Sequence, residues 1–452
     1  MRILILSQFF DPEPDFKGLP FARELVRRGH EVEVLTGFPN YPGGKLYPGY
    51  RVRPWRREMM DGVAVNRVPL YPSHDRSSVR RMANYVSFAL SASTIGPWLV
   101  KKPDVIYAYH PPVTVGLPAL VLRTLNRCPV VYDIQDLWPD TVASSQMLGS
   151  RRLIAAIDRW CRFVYRRMDR IVVLSPGFRE TLISRGVDPA KIDVIYNWAD
   201  EASLRRSDAA TASGEQTSAL QKLAGRFNVV FAGTMGLVQS LDTALDAARI
   251  CATATPDAQF VFVGSGVDRA RLERRAAEMQ LSNVLFLPRQ PVETIGAILA
   301  MADAALVHLK DDPLFRITIP SKIQAYFALG RPILAAVAGD AAELVARSGG
   351  GVACPPQNAA AMAAAVARLR AMSRQEREAM AARGRAFYDE QLSLAVGVER
   401  FEQAFRAAAG QCRSGRGKDT NSNRLAVDGT SALQCHETAV PVAAKQDERR
   451  AA

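Results

Sequence analysis

The chain has 452 residues, more than one hydrophobic core normally supports, so its length predicts two domains. Hydrophobic residues make up 48% and charged residues 23%, a globular composition that excludes a largely disordered chain. The net charge of +13 favours an anionic partner (a nucleotide, a lipid diphosphate, a membrane face or a nucleic acid), although a merely basic, solvated surface explains it equally well. Six scattered cysteines form no C-x-x-C pair, which argues against a metal site or disulfide framework and favours a reducing compartment.

Two apolar segments need to be distinguished from membrane signals. The opening sequence MRILILSQFF is expected to be a buried strand, because a signal peptide would need a longer apolar region and a cleavage site. Residues 82–100 contain no charge, but Asn84, several hydroxyl side chains and the Gly96-Pro97 break argue against a transmembrane helix. We expect a buried or interfacial helix there, with contact to an anionic inner leaflet as a secondary hypothesis.

Short apolar segments recur along the chain and predict strands that are covered on both faces by helices. In the first half they are Arg2–Ser7, Glu31–Thr36, Asp104–Tyr109, Pro129–Ile134, Arg170–Ser175 and Asp193–Tyr196. In the second half they are Asn228–Ala232, Gln259–Val263, Asn283–Leu287, Ala304–Leu309, Pro332–Val337 and Gly351–Cys354. Helical stretches between the strands imply parallel sheets, so each half is predicted to be a doubly wound, Rossmann-like α/β domain.

A polar linker at 200–226 separates an N-terminal domain at 1–199 from a C-terminal domain at 227–388. An amphipathic helix is predicted at 389–409, and the tail at 410–452, which lacks aromatic residues and periodicity, is predicted to be disordered. Ligands of open α/β sheets bind at the carboxyl ends of the strands, so the cleft between the domains is the expected site.

Three glycine-containing turns follow predicted strands and could bring backbone N–H groups close to a phosphate. Gly18 precedes the first helix, Gly233 and Gly236 follow the first strand of the second domain, and Gly264 and Gly266 follow the next strand. The first turn does not match G-x-G-x-x-G, so a dinucleotide site is a weak interpretation. An ordinary tight turn or a helix cap explains each turn about equally well when it is considered alone.

A fourth candidate lies in residues 311–334, where Arg316 and Lys322 flank Ser321 near the start of a predicted helix. A hydroxyl, a lysine and free N–H groups together suit a diphosphate, although N-capping is the simpler role for Ser321 alone.

Polar side chains also follow two strands of the first domain. Gln135 and Asp136 come directly after one strand, beside Asp133, and His110 follows another. A polar side chain at a strand end can enter the cleft, so Asp136, Gln135 and His110 are the candidate catalytic residues, although a lone histidine is more often structural.

The ordered set of segments resembles the family-4 retaining glycosyltransferases, which have the GT-B fold of two Rossmann-like domains facing a cleft. The resemblance covers about residues 1–408 and includes RRGHEV, RIVVLSPGFRETL, VIYNWAD, VVFAGTMG, FVGSGVDRARLE, NVLFLP, PSKIQAYFALGRPILA and GDAAELV. GFPNYPGGKLYPGYR and DIQDLWPD are similar to the fucosamine-transferase and colanic-acid-type branch, which assembles O-antigen, capsule or exopolysaccharide repeats.

The resemblance implies that the C-terminal domain binds the nucleotide sugar and the N-terminal domain the acceptor. It implies closure of the domains and a transfer with retention that needs no metal and no cofactor. The donor-side segments would hold Gly233, Gly236, Gly264, Gly266, Ser321 and Lys322, and Gly18 would lie on a diphosphate-facing loop. The helix at 389–409 would cross back onto the N-terminal domain.

Family membership also suggests the substrates and the location. We expect a UDP-activated, N-acetylated amino sugar as donor and a polyprenyl-diphosphate-linked saccharide as acceptor. Nucleic acid is not expected as a partner. The protein would be cytoplasmic and peripheral on the inner face of the cytoplasmic membrane.

Three family features are replaced in this chain. Two glutamates eight residues apart become Ile317 and Ala325, so either Gln324 or another group holds the ribose, or the ribose is held less well. The arginine and lysine that the family usually has after the strand leading to Gly233 are also missing. Arg316 and Lys322 are expected to balance the diphosphate charge instead. The usual histidine at the fourth strand becomes Gln135. Two alternatives to a transferase therefore stay open: a catalytically silent nucleotide-sugar-binding scaffold, and a nucleotide-sugar epimerase on the same fold.

Overall fold

The computed structural model describes residues 1–14, 17–73, 77–110, 112–141, 150–204 and 220–422, with backbone alone for 78, 292–294 and 411–422. The described residues of Met1–Gly410 form one compact unit. Both sheets lie in this unit.

The first sheet has eight strands in the order β3-β4-β2-β1-β5-β6-β7-β8, parallel except for β3, which pairs antiparallel with β4. Its strands are β1 Arg2–Ser7, β2 Glu31–Gly37, β3 Arg56–Met60, β4 Val63–Val68, β5 Val105–His110, β6 Val130–Ile134, β7 Arg170–Val173 and β8 Ile192–Val194. The central strands are buried along their whole length, as expected where helices cover both faces of a sheet.

The second sheet has six parallel strands in the order β11-β10-β9-β12-β13-β14. They are β9 Phe227–Ala232, β10 Ala258–Val263, β11 Val284–Leu287, β12 Ala304–His308, β13 Ile333–Ala336 and β14 Gly351–Cys354. Two parallel sheets, each with crossover helices, confirm the predicted pair of Rossmann-like domains.

The helices lie between the strands and after the last one. In the first half they are α1 Leu19–Arg27, α2 Ser78–Thr94, α3 Gly96–Leu99, α4 Gly116–Asn126, α5 Arg151–Arg167 and α6 Pro176–Ser184. In the second half they are α7 Asp242–Ala254, α8 Arg269–Glu278, α9 Val292–Ala300, α10 Pro313–Arg316, α11 Ser321–Ala328, α12 Asp340–Ser348, α13 Ala359–Ala371, α14 Arg374–Gln391 and α15 Leu394–Ser422.

Each of the twelve predicted strands is present with ends shifted by a few residues at most, but the β3–β4 hairpin was not predicted. The β3 sequence RREMM is half exposed and carries three charges, so it lacks the apolar signal used to find the others. It lies at the sheet edge, where one face of a strand can stay polar.

The C-terminal segment differs from the prediction. The helix expected at 389–409 is instead divided between α14 and α15, and α15 continues to Ser422 through part of the tail that was predicted to be disordered. Arginine, lysine and glutamine residues support this continuation despite its glycines. The rest of that tail, 423–452, and the linker residues 205–219 lie outside the described residues.

The uncharged segment 82–100 forms most of α2 and all of α3, with the break at the Gly96-Pro97 position where it was expected. Phe88 and Ala92 of α2 pack into the core beneath the sheet. Across the described part of the chain, no helix combines the length and apolarity needed to cross a bilayer.

Candidate active site

The carboxyl ends of the two sheets face each other across the interdomain boundary. The Ser175 hydroxyl, just after β7, donates to the carbonyl oxygen of Ile317 at 2.6 Å. The Gly177 N–H, at the start of α6, donates to the Asp340 carboxylate at 2.7 Å. These contacts place the strand ends of both domains around one cleft, as an open α/β architecture requires of its ligand site.

Ile317 serves this interdomain contact with both its backbone carbonyl oxygen and its side chain. A Cβ on Gly177 would overlap the Ile317 side chain, so only glycine allows the two segments to approach this closely. The interdomain boundary therefore includes an apolar packing contact between Gly177 and Ile317.

Lys322 lies against the glycine turn that follows β9. A Cβ built on Gly233 would stand 2.6 Å from Cε and 3.1 Å from Nζ of Lys322, and Gly233 has φ +138°. The ammonium group also lies 4.4 Å from the centroid of the Phe231 ring. Gly233 thus leaves room for the lysine stem, and the structure brings these two predicted donor-side residues together.

The Lys322 ammonium has no anionic partner among the described residues. Burial lowers its pKa to about 8, because desolvation disfavours the charged form and no carboxylate offsets that cost. A largely desolvated cation at the carboxyl end of a parallel sheet is therefore positioned to gain energy from an incoming anion.

The other predicted glycines hold two turns against each other. A Cβ on Gly264 would overlap the carbonyl oxygen of Gly233, and one on Gly266 would overlap that of Met235. The Met235 N–H donates to the Ser265 carbonyl at 2.9 Å, and the Gly236 N–H donates to the Gln239 side chain at 3.1 Å. Close turn packing accounts for these glycines without a ligand.

The remaining donor-side predictions have different surroundings. Arg316 makes a two-point ion pair with Asp311 at 2.8 and 3.0 Å and is 58% exposed, so the structure does not show it balancing a diphosphate beside Lys322. Ser321 is exposed at the first turn of α11. Gln324 is buried, and its amide, oriented with the nitrogen toward Pro320 and Ser321, donates to their carbonyl oxygens.

In the first domain, Gln135 belongs to a chain of buried polar contacts. Its amide nitrogen donates to Asp133 at 2.7 Å, and its oxygen accepts from the Asn197 amide at 2.8 Å. Asp133 also accepts from the Lys17 ammonium at 2.5 Å and from the Tyr107 hydroxyl at 2.6 Å. The contacts fix Gln135 at the carboxyl end of β6.

The Lys17–Asp133 ion pair has no solvent contact, since both side chains are 0% exposed. The Lys17 ammonium lies 4.8 Å from the Phe401 ring centroid and 5.6 Å from that of Trp198. Phe401 belongs to α15, whose Phe405 packs in the same core cluster. The C-terminal helix therefore packs against the first domain and covers the ion pair.

Asp136 follows Gln135 and has no described hydrogen-bond partner for its carboxylate. Burial raises its pKa to about 6. It lies close enough to Tyr85 of α2 to affect that phenol electrostatically, and Tyr41 acts on the same group. Asp136 thus follows the carboxyl end of β6, within electrostatic range of Tyr85.

His110 and Gly18 do not lie where their predicted roles require. His110 is fully buried beside Tyr132, neither ring nitrogen has a partner in the described chain, and burial lowers its pKa to about 3. It therefore does not reach a sugar in the cleft. At the N-terminus of α1, directly after Gly18, the Asp11 carboxylate accepts a hydrogen bond from the Leu19 N–H at 2.6 Å. A protein carboxylate therefore already occupies the position where the phosphate of a ligand was expected.

The sequence did not reveal three residues that organise the first domain, of which Lys17 and Glu13 are buried and Asn197 is partly buried. Lys17 and Asn197 reach Asp133 and Gln135 from distant loops. Glu13 accepts three backbone hydrogen bonds, from Phe10, Asn40 and Tyr41, and burial raises its pKa to about 7. The only available signal was an acidic or basic residue in a loop next to a buried strand, which is too common to single out these positions.

The chain matches known protein families over both halves. Residues 19–198 match the family model described as glycosyl transferase 4-like domain, and residues 226–371 match that of glycosyl transferases group 1. The two matches meet near the predicted linker, so each corresponds to one sheet.

Curated relatives and solved structures agree with these matches. The chain is 27% identical to the putative colanic acid biosynthesis glycosyl transferase WcaI of Escherichia coli K12, over 73% of this chain and 82% of that protein. It is also 27% identical to a GDP-mannose-dependent alpha-mannosyltransferase of Mycolicibacterium smegmatis, over 76% and 82%. Anabaena HepE in complex with UDP-glucose superposes with a TM-score of 0.63 at 17% identity, covering 90% of this chain and 100% of HepE.

Proposed function

The chain belongs to the family-4 glycosyltransferases of the GT-B fold, related to colanic acid biosynthesis enzymes, and we propose that its donor is a UDP-sugar. The sugar is an N-acetylated amino sugar, transferred with retention to a polyprenyl-diphosphate-linked saccharide. The reaction takes place in the cytoplasm, at the inner face of the membrane, during synthesis of O-antigen, capsule or exopolysaccharide.

The observation that carries the donor site is the buried Lys322 ammonium beside Gly233. Its charge has no described partner, and its pKa is lowered to about 8, so a diphosphate would restore the stabilisation that burial removes. Stabilising the departing diphosphate is the main electrostatic task in sugar transfer from a nucleotide. Lys322 supplies that charge here, and the transfer needs no metal.

The first domain supplies the acceptor side in this proposal. Asp136, whose pKa is about 6, is ionised at neutral pH and accepts a hydrogen bond from a sugar hydroxyl. Gln135 is held by Asp133 and Asn197 and provides the amide contact where the family usually has a histidine.

The test is a transfer assay with purified protein, a polyprenyl-diphosphate-linked saccharide and a panel of UDP-sugars and GDP-sugars. We expect one UDP-linked N-acetylated amino sugar to extend the acceptor, with activity that survives EDTA. The anomeric proton coupling of the product, measured by NMR, reports retention or inversion.

Lys322→Met is the informative variant, because it keeps an unbranched stem of similar shape and removes the charged ammonium group. We expect it to lose at least about tenfold in transfer rate, since a hydrogen bond to a charged group contributes about 1.5–3 kcal/mol. Arg368→Met, on an exposed face of the second domain, is the matched control. Transfer from GDP-mannose alone would replace the donor assignment, and nucleotide binding without turnover would favour the scaffold alternative.

A further inference from the structure

His308, the last residue of β12, has a buried imidazole that is hydrogen-bonded at both ring nitrogens. The Nε2 atom accepts a hydrogen bond from the backbone N–H of Gln357 at 3.0 Å. Because a backbone N–H can only donate, Nε2 carries no proton, and the proton of the neutral ring lies on Nδ1. The Nδ1–H group therefore donates to the carbonyl oxygen of Gln239, 2.6 Å away. Burial lowers the pKa of His308, which keeps the ring in this neutral form at pH 7.

The two hydrogen bonds join loops that follow different strands of the second sheet. Gln239 ends the turn that starts at Gly233, after β9, and Gln357 lies between β14 and α13. The Gln357 side chain in turn accepts a hydrogen bond from the backbone N–H of Asp311, after β12, at 2.8 Å. Since β12 lies between β9 and β14 in the strand order, the His308 ring connects three loops at the carboxyl edge of the sheet.

Both partner loops contain a backbone conformation that non-glycine residues rarely adopt. Gln357 has φ +53°, and Ser240, directly after Gln239, has φ +42°. Left-handed conformations of this kind cost free energy and persist where the surrounding structure determines them. Two of the five non-glycine residues with positive φ in the described chain thus lie at the partners of His308. The hydrogen bonds of the imidazole stabilise both loops in these conformations.

The turn that His308 holds is the one that borders Lys322. A Cβ on Gly233, at the start of the turn, would overlap the stem of the Lys322 side chain. Further along, the Gly236 N–H donates to the Gln239 side chain at 3.1 Å, so Gln239 holds the turn together from within. The hydrogen bond from His308 to the Gln239 carbonyl oxygen therefore fixes the end of a turn whose start contacts the unpaired cation.

We propose that His308 is a positioning residue of the donor site. Its Nδ1–H group fixes the end of the 233–239 turn, and the turn then presents Gly233 and Lys322 to the diphosphate of the nucleotide sugar. The hydrogen bond from Gln357 fixes the tautomer, because it requires an unprotonated Nε2. The imidazole is 1% exposed and does not itself contact the substrate. This inference rests on the proposed UDP-sugar donor and adds a residue on which that site depends.

Two variants separate the two hydrogen bonds, since the amide of asparagine reaches the position of Nδ1 and that of glutamine the position of Nε2. His308→Asn keeps a donor for the Gln239 carbonyl oxygen and loses the acceptor for the Gln357 N–H. His308→Gln keeps that acceptor and loses the donor. The backbone hydrogen bond from the Lys310 N–H to the Val238 carbonyl oxygen, at 2.9 Å, remains in both variants.

The measurement is the UDP affinity of the full chain, determined by calorimetry at pH 7. We expect His308→Asn to stay within about twofold of the wild-type affinity and His308→Gln to lose at least about fivefold, the usual effect of one hydrogen bond. Thermal unfolding without nucleotide should show a similar loss of stability in both variants, because each lacks one buried hydrogen bond. Equal UDP affinities of the two variants, whether retained or lost, would overturn the positioning role.

The tautomer can be measured in the wild-type protein, which keeps the inference testable if a variant does not fold. The chain has five histidines, so nitrogen NMR of histidine-labelled protein gives few signals. We expect His308 to have a neutral ring that is protonated at Nδ1 alone. A His308 ring with a proton on Nε2 would contradict the arrangement of hydrogen bonds on which the proposal depends.

His30→Gln is the matched control. Both ring nitrogens of His30 also contact polar groups, the Met1 amino group at 3.4 Å and Glu402 at 2.6 Å, but His30 precedes β2 in the first domain. This variant should bind UDP as the wild-type protein does. Absence of UDP binding by the wild-type protein would refute the proposed donor and this inference with it. Wild-type binding together with equal affinities in the two His308 variants would refute the inference alone.

Discussion

Replacing Asp133 by asparagine tests the buried ion pair of the first domain most severely. The change keeps the shape of the side chain and removes its charge, so the buried Lys17 ammonium loses the carboxylate that it contacts at 2.5 Å. Removing one partner of a buried pair costs about 3–5 kcal/mol. Because a typical protein has a free energy of unfolding of about 5–15 kcal/mol, the loss should be easy to detect.

The chain offers a selective reporter for this experiment. All five tryptophans, at positions 55, 98, 138, 160 and 198, lie in the first domain. Tryptophan emission during urea unfolding therefore follows that domain alone, which avoids treating a two-domain protein as one transition. Asp158→Asn is the control, since it removes one end of a partly exposed ion pair on α5 and should cost no more than about 1 kcal/mol.

A double variant distinguishes the loss of this charge–charge contact from a general packing defect. Lys17→Met with Asp133→Asn removes both charges, so we expect it to be more stable than Asp133→Asn alone by about 1–3 kcal/mol. The reasoning fails if Asp133→Asn costs less than about 1 kcal/mol, or if adding Lys17→Met lowers stability further.

Three further predictions concern the second domain. UDP affinity should be constant below pH 8 and fall above it, by up to about tenfold per pH unit. The reason is that the pKa of Lys322 is about 8 in the free protein and that binding an anion raises it. Calorimetry at pH 7 to 9.5 measures the profile, and an affinity that does not change with pH contradicts the prediction. Gly264→Ala should destabilise the domain by roughly 2–5 kcal/mol, since Gly264 has φ +141° and the new Cβ overlaps the Gly233 carbonyl oxygen. Thermal unfolding followed by circular dichroism measures the loss of stability. An unchanged transition temperature would refute the close packing of the two turns. Arg316→Ala should change UDP affinity by less than about twofold, because that arginine is paired with Asp311 at the surface. A larger loss of affinity would show that Arg316 does contact the diphosphate.

The strands were predictable because parallel strands covered on both faces have an apolar sequence that few other structures share. The hairpin escaped because β3 is charged and lies at the sheet edge. The helix α15 was shortened in the prediction because the sequence after about residue 410 has no aromatic residue and no sustained periodicity, yet the backbone stays helical to Ser422.

The site was only partly predictable from the sequence. Lys322 and Gly233 lie in recognisable motifs, and the structure brings them together. Arg316 looked equivalent in sequence, but its exposed pair with Asp311 depends on how a short helix is oriented. Lys17 and Asp133 are 116 positions apart, and no local pattern links them, so that pair required the fold.

The most direct test of the donor site is the thermal unfolding of wild-type protein and Lys322→Met in the presence of UDP, GDP, ADP, dTDP and CMP. A ligand that binds only the native state stabilises it by about 2.7 kcal/mol at a hundredfold excess over its Kd. We predict a rise in the transition temperature that is selective for UDP in the wild-type protein and much smaller in the variant. An equal rise in both proteins, or a shift with none of the five nucleotides at millimolar concentration, would contradict the proposed site.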